Sequence, residues 1–134
     1  MNFYNADDIN NTLDFPLLIE ALREGFTRDY VIPPRMHLNY DNPKDHDQNT
    51  LLLMPAVQCG DVAGVKIVNV APANITKNLP SIQGIYYLMD ATTGSPKAMM
   101  DAKTLTNWRT AAASALAAEF LALKEASSLL MVGA

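Results

Sequence analysis

The fold is decided by two apolar runs at the centre of the chain: Thr50-Leu51-Leu52-Leu53-Met54-Pro55-Ala56-Val57 and Gly64-Val65-Lys66-Ile67-Val68-Asn69-Val70. Each run is short, the second is rich in β-branched residues, and Cys59-Gly60-Asp61 between them is typical of a turn. Two further runs, 82–89 and 97–100, flank a turn-rich segment and predict a hairpin. We therefore expect a sheet built from strands that are consecutive in the chain.

Helices are predicted on both sides of these strands. Asp14 is a good N-cap before Pro16, and apolar residues spaced by three and four continue a helix to about Arg28. Thr106 is expected to cap a second helix over roughly residues 107–124, where a high alanine content favours the helical state.

The remaining segments are predicted to be non-helical. Residues 29–40 should be extended because two consecutive prolines fix φ, and residues 41–49 read as a polar loop. Residues 127–134 read as a strand that does not obviously belong to the central sheet. This order of elements favours an α+β fold with a mixed, largely antiparallel sheet and flanking helices.

The composition excludes several classes of protein. With 134 residues, 49% apolar and 18% charged, the chain can form one packed domain and is unlike a disordered protein. No apolar run reaches the roughly 20 residues that cross a bilayer, and the polar, acidic N-terminus is unlike a signal peptide. The net charge of −4, with scattered lysines and arginines, argues against nucleic-acid binding. One cysteine and two histidines argue against a disulfide or metal site and favour a cytoplasmic setting.

Lys66 is the most unusual residue because it stands inside an apolar, strand-like run. Burial disfavours the ammonium, so a lysine is almost never fully buried without a partner. Lys66 either lies on an edge strand with its ammonium in water, or faces a cleft where it could bind a carboxylate or transfer a proton. The residues alone leave both alternatives open.

Two arginines stand at positions suited to an anion. Arg35 follows the stiff Pro33-Pro34 segment, which would aim its planar guanidinium at a carboxylate. Arg109 is expected in the first turn of the alanine-rich helix, where free N–H groups attract anions. A cation is locally unfavourable there, and a bound anion would account for its presence. The alternatives are a plain surface position for Arg35 and an ion pair with Asp101 for Arg109.

Five segments, taken in order and spacing, resemble the ornithine cyclodeaminase/μ-crystallin family. They are Pro33-Pro34-Arg35, Leu53-Met54-Pro55-Ala56, Gly64-Val65-Lys66-Ile67-Val68-Asn69, Leu79-Pro80-Ser81-Ile82-Gln83-Gly84 and residues 105–115. The ending Met131-Val132-Gly133-Ala134 falls where that family begins its glycine-rich dinucleotide turn, so the resemblance implies a cofactor contact at Gly133.

The resemblance implies a two-domain, NAD(P)-dependent enzyme. Residues 1–126 would be its substrate-binding and dimerisation domain, and residues 127–134 the first strand of a truncated Rossmann domain. The implied cofactor is NAD(H) or NADP(H), and the implied partners are a small amino or imino acid and a second copy in a homodimer. The 134-residue chain alone is then expected to be inactive, because most of the pyrophosphate site would lie beyond it.

The same resemblance implies roles for individual residues. Arg35, Lys66 and Arg109 match positions that bind the substrate carboxylate, and Lys66 is also the candidate catalytic residue. Ser81, Arg109 and Thr110 match positions on the nicotinamide side of the cofactor.

The reaction has three alternatives. We expect ketimine or pyrroline-2-carboxylate reduction, or an alanine-dehydrogenase-like reaction, in the full-length protein. Ornithine cyclodeamination ranks lower, because Leu52 stands where the resemblance to ornithine cyclodeaminases implies a glutamate for the distal amino group. A non-catalytic ligand-binding or dimerisation module is the third alternative.

Overall fold

Six strands and three α-helices form within residues 1–132, the part of the chain that this computed structural model describes. In chain order they are β1 (Asn2–Tyr4), α1 (Ala6–Thr12), α2 (Phe15–Gly25), β2 (Met36–Asn42), β3 (Asp47–Val57), β4 (Val62–Val70), β5 (Ile82–Asp90), β6 (Pro96–Asp101) and α3 (Ala102–Leu121). A 3₁₀ helix over Pro72–Lys77 connects β4 to β5.

The strands form one sheet in the order β1-β6-β5-β4-β3-β2. The strands from β2 to β6 pair antiparallel with their chain neighbours, and only β1 runs parallel to its neighbour, β6. The predicted mixed, largely antiparallel sheet with flanking helices is confirmed. Because β4 lies between β3 and β5, Lys66 is not on an edge strand, and that alternative is wrong.

Side chains alternate between the two faces of the sheet. The face that we call the cleft face carries Leu52, Met54, Lys66, Val68 and Tyr86. Helix α3 lies on this face, since Thr106 Oγ1 is 3.4 Å from the Nζ of Lys66, and α1 and α2 pack against α3. The opposite face, which we call the open face, has no α-helix of residues 1–132 on it. It carries apolar side chains from all six strands: Phe3, Leu38, Leu53, Ile67, Ile85 and Met99.

Helix α2 begins as predicted. Asp14 Oδ1 accepts a hydrogen bond from the Leu17 N–H at 3.2 Å, so Asp14 is the N-cap. The ring centroids of Phe15 and Trp108 lie 4.4 Å apart, and Arg23 pairs with Glu119. These two contacts join the two ends of α2 to α3. Within residues 1–132, no helix combines the length and apolar character that crossing a membrane requires.

Helix α3 begins earlier than the sequence predicts. Asp101 Oδ1 accepts a hydrogen bond from the Thr104 N–H at 2.7 Å, so Asp101, not Thr106, is the N-cap. Both residue types cap well, but Asp101 is the last residue of β6, where the chain must leave the sheet. The prediction that Arg109 occupies the first turn is therefore wrong, because the helix begins at Ala102.

The structure also differs from the sequence-based expectation at the first hairpin and near the N-terminus. The polar loop predicted over 41–49 is shorter, since β2 continues to Asn42 and β3 begins at Asp47. The elements β1 and α1 were not predicted. Helix α1 lacks regularly spaced apolar residues, and it begins instead at a capping box in which Asn5 and Asp8 exchange hydrogen bonds.

The strand predicted over residues 127–134 is absent from the described residues 127–132. Leu129 and Leu130 are 85% and 86% exposed, and no neighbouring strand in the described chain pairs with them. Gly133 lies outside the described residues. The division of the chain at residue 126 stays a prediction.

Candidate functional site

A cleft of about 550 Å³ lies between the cleft face of the sheet and the first half of α3. It forms because alternate side chains of β3, β4 and β5 point toward the helix. We call this cavity the first chamber. The residues that line this chamber alone include Leu52, Val68, Val70, Ser81, Ile82 and Asn107.

A second chamber of about 500 Å³ adjoins the first. Its own walls include Ile32, Pro33, Pro55, Ala56, Tyr86 and Leu105. The pairing of Val70 with Ile82 and of Ala56 with Gly64 shows that the chambers extend toward opposite ends of β4. Five side chains border both chambers: Arg35, Met54, Lys66, Thr106 and Arg109.

The three cations predicted to share a site therefore border the same cavities, although they come from distant segments. Arg35 stands on the extended segment before β2, Lys66 in the centre of β4, and Arg109 on the face of α3 that also carries Thr106. Within residues 1–132 none of the three makes an ion pair with a carboxylate. Asp101 is engaged as the helix cap and is not the ion-pair partner of Arg109.

The surroundings of Lys66 lower its pKa below the ordinary value for a lysine. Partial burial of the ammonium is the largest cause, followed by repulsion from Arg109 and then from Arg35. The hydroxyl of Thr106, a neutral group, accepts a hydrogen bond from Lys66 Nζ at 3.4 Å. No aspartate or glutamate of the described residues borders either chamber. This arrangement can bind a carboxylate through several charge-assisted hydrogen bonds.

Thr106 is the site residue that the sequence reasoning missed, because it was interpreted as a helix cap. Lys103 and Asn107 also line the first chamber. The signal that could have found them is helical spacing, since Thr106 stands three residues from both Lys103 and Arg109. That spacing has meaning only once the helix is known to begin at Ala102.

Of the residues predicted to lie on the nicotinamide side, Ser81 and Arg109 border the chambers and Thr110 does not. Ser81 lines the first chamber and follows a turn in which Asn78 adopts the left-handed conformation, with φ of 59°. Thr110 borders neither chamber: it is exposed, and its hydroxyl donates to the backbone carbonyl of Thr106 at 2.6 Å. Arg109 borders both chambers.

We expect a bound carboxylate to raise the pKa of Lys66. The ammonium is disfavoured by burial and by two guanidinium groups, and an anion offsets that repulsion, so the pKa moves back up. For the same reason, carboxylate affinity should fall as the pH rises through the lowered pKa. An NMR titration of the Lys66 side chain with and without acetate measures this, with Lys66→Met identifying the resonance. A titration curve that acetate leaves unchanged contradicts the shared site.

Comparison with known proteins adds an independent finding. A sequence model of the Ornithine cyclodeaminase/mu-crystallin family matches residues 2–134. A Delta(1)-pyrroline-2-carboxylate reductase from Colwellia psychrerythraea is 31% identical over 134 residues, which cover 99% of this chain and 42% of that reductase. The chain spans about two fifths of the length of the curated relatives it matches.

Two solved structures share the fold. An archaeal alanine dehydrogenase dimer with bound NAD superimposes with a TM-score of 0.78 at 30% identity, over 93% of this chain and 38% of the dehydrogenase. The Thermococcus litoralis Delta(1)-pyrroline-2-carboxylate reductase in complex with NADH and L-proline gives 0.74 at 28% identity, over 93% of this chain and 39% of the reductase. The resemblance found in the five motifs is confirmed, and the chain belongs to the ornithine cyclodeaminase/mu-crystallin family.

Proposed function

We propose that the full-length protein is an NAD(P)-dependent oxidoreductase acting on a small amino or imino acid, and that this chain supplies its carboxylate-binding and dimerisation domain. The observation that carries the proposal is the position of Arg35, Lys66 and Arg109 at the junction of two chambers that no carboxylate side chain of the described residues borders. A site with this charge binds a carboxylate and thereby fixes the neighbouring α-carbon.

Each residue has a stated task in this proposal. Arg35 and Arg109 hold the two oxygens of the substrate carboxylate. Lys66 holds the same carboxylate through its ammonium, and that ammonium is also the group that can exchange a proton with the substrate nitrogen. Thr106 keeps the Lys66 ammonium oriented through the 3.4 Å hydrogen bond.

The first chamber fits the nicotinamide end of the cofactor. It combines the hydroxyl of Ser81 and the amide of Asn107 with an apolar wall of Val70 and Ile82, which suits a planar ring that carries one polar amide. When bound, the cofactor supplies or accepts the hydride. Arg109, Thr110 and Gly133 would complete its contacts with this chain.

The reductase alternative is favoured over ornithine cyclodeamination. Leu52 forms part of the wall of the first chamber, where it offers only an alkyl surface. A second ammonium group, as in ornithine, would find four cations, including Lys103, and no carboxylate among the described residues that border the chambers. Two relatives named as Delta(1)-pyrroline-2-carboxylate reductases point to the same class of substrate.

The test is an assay of the full-length protein with NADH or NADPH and Δ1-pyrroline-2-carboxylate, run beside NAD⁺ and ornithine. Reduction of the cyclic imine supports the proposal. Ammonia release from ornithine without imine reduction would instead establish the cyclodeaminase alternative. Saturable carboxylate binding without turnover of either substrate would establish the binding-module alternative.

We also propose that the protein forms a homodimer through the open face. Phe3, Met36 and Leu38 on this face are 63%, 58% and 54% exposed, and soluble monomers rarely expose a large continuous apolar patch. An isologous contact of two open faces would bury it, as the symmetry of most dimers allows.

Leu38→Glu is expected to convert the dimer into a monomer. The substitution places a charge on the apolar surface that would drive association, while the exposed position in one copy leaves the fold intact. Light scattering of the full-length protein over a range of concentrations measures the mass. The matched control is Leu17→Glu on α2, which is 73% exposed and lies on the helical side. A parent protein that is monomeric at high concentration overturns the dimer.

A further inference from the structure

We propose that Lys66 is a nucleophile as well as a cation, and that its side-chain nitrogen forms a reversible imine with the carbonyl carbon of a 2-oxo acid held in the cleft. This inference rests on the proposed function, because it takes Arg35 and Arg109 as the groups that hold the carboxylate. It adds a covalent reaction to a site whose proposed task is to bind and orient.

The surroundings of Lys66 are those that an amine nucleophile requires. A lysine attacks a carbonyl carbon only as the free amine, and burial or neighbouring cations favour that form. Lys66 stands at the centre of β4, partly buried and close enough to Arg35 and Arg109 to be repelled by both. Among the described residues, no carboxylate pairs with it and none borders either chamber. Lys66 thus differs from Lys77 and Lys97, each of which pairs with an aspartate.

The hydrogen bond of Lys66 restrains the nitrogen without neutralising it. The Nζ atom donates to Thr106 Oγ1 at 3.4 Å, a long bond to an uncharged hydroxyl. Such a partner stabilises an ammonium much less than a carboxylate would. The free amine can make the same hydrogen bond through one N–H and keep its lone pair for a molecule in the chambers that it borders.

The two arginines select the kind of carbonyl compound. Arg35 and Arg109 border the same two chambers as Lys66. In a 2-oxo acid the carbonyl carbon is bonded directly to the carboxylate carbon, so guanidinium groups that hold the carboxylate also hold the carbonyl beside the amine. Such proximity accelerates a reaction between two groups that would otherwise meet only by diffusion. A ketone without a carboxylate lacks this anchor.

Binding of the carboxylate does not abolish the free amine. The anion offsets the repulsion from Arg109 and Arg35, but burial, the largest cause of the lowered pKa of Lys66, remains. A ligand in the cleft also excludes water from the nitrogen, and this exclusion disfavours the ammonium further.

The reaction balances without an oxidant or a reductant. The lone pair of the free amine attacks the carbonyl carbon, and transfer of one hydrogen from nitrogen to oxygen gives a carbinolamine. The C–O bond then breaks, the oxygen leaves as water with both hydrogens of the amine, and a C=N bond remains. Hydrolysis reverses these steps and restores Lys66.

The experiment traps the imine with sodium cyanoborohydride, which reduces the C=N bond to a stable secondary amine. The full-length protein without cofactor is treated with pyruvate or with acetone, the matched ketone that lacks a carboxylate, and peptide mass mapping locates the modified lysine. We expect pyruvate to modify Lys66 at least about tenfold more than any other lysine of residues 1–134, and at least about tenfold more than acetone does. Acetate, which competes for the two arginines, should reduce the pyruvate adduct.

Two variants and the competition make the result decisive. Lys66→Arg retains the charge and removes the primary amine, so the adduct at this position should disappear; the acetate competition tests the parent without any substitution. Lys97→Arg is the matched control: Lys97 pairs with Asp90 and borders neither chamber, so the adduct at Lys66 should be unchanged.

The inference is overturned if pyruvate binds without modifying Lys66, if acetone modifies Lys66 as readily, or if acetate leaves the adduct unchanged. Modification of Lys103, on the wall of the first chamber, in place of Lys66 would overturn it as well. Binding of acetate without an adduct would leave the proposed carboxylate site intact. Failure of both pyruvate and acetate to bind, measured by ligand-observed NMR, would refute that site and the inference together.

Discussion

Lys66→Ala in the full-length protein is expected to lower kcat/KM by about 30- to 1,000-fold, the equivalent of about 2–4 kcal/mol of transition-state binding. The lysine borders both chambers and lies near enough to both Arg35 and Arg109 for their repulsion to lower its pKa. Its removal takes away one charge-assisted contact and loosens the carboxylate that orients the reacting carbon. KM should rise sharply and kcat should also fall.

Steady-state kinetics with the cyclic imine measures this effect. Lys97→Ala is the matched control: Lys97 pairs with Asp90 beside a hairpin turn and borders neither chamber, so its removal should leave kcat/KM within about twofold, the scale of a surface change. Lys66→Arg retains the charge and should recover part of the binding. A loss smaller than about threefold in Lys66→Ala would show that the lysine does not hold the substrate.

Gly84→Ala is expected to destabilise the 134-residue chain by about 3 kcal/mol, the upper part of the usual range for overpacking. A Cβ at this position would lie 2.2 Å from the backbone carbonyl oxygen of Ile67 and 3.0 Å from the Cα of Val68. Both atoms belong to the backbone of β4, so β4 and β5 would have to separate where Gly84 pairs with Val68. The obstacle is therefore backbone, which cannot move aside as a flexible side chain could.

Urea unfolding followed by the fluorescence of Trp108, the single tryptophan of the chain, measures the free energy of unfolding. The control is Gly25→Ala at the end of α2, where the nearest atom to a new Cβ is the Tyr30 hydroxyl at 3.5 Å. That substitution should be neutral or stabilising by about 0.5–1 kcal/mol, because alanine favours the helix. Equal stability of Gly84→Ala and the parent would mean that β4 and β5 are not paired as described.

The sequence by itself determined the elements whose signals are local. The runs 50–57 and 64–70 became β3 and β4, and the hairpin over residues 82–100 formed as predicted, because β-branched residues and turn residues act over a few positions. Asp14 caps α2 for the same reason. The five spaced motifs were also sufficient to predict the family, since their order and spacing are properties of the chain alone.

Only the tertiary structure decided which of several locally acceptable alternatives was used. Asp101 and Thr106 are both good helix caps, and the end of β6 selects Asp101. Residues 127–132 have an apolar, strand-like sequence, but a strand needs a neighbour, and none in the described chain pairs with them. Local propensity could not predict either outcome.

The candidate site shows the same division. The sequence identified Arg35, Lys66 and Arg109 as candidate anion ligands, but it placed Arg109 in the wrong helical turn and left Lys66 between an edge strand and a cleft. The order of strands put β4 inside the sheet, and the direction of α3 turned Thr106 and Arg109 toward Lys66. Contacts between residues this far apart in the chain depend on how strands pair and helices pack, and that information is not present in any single segment.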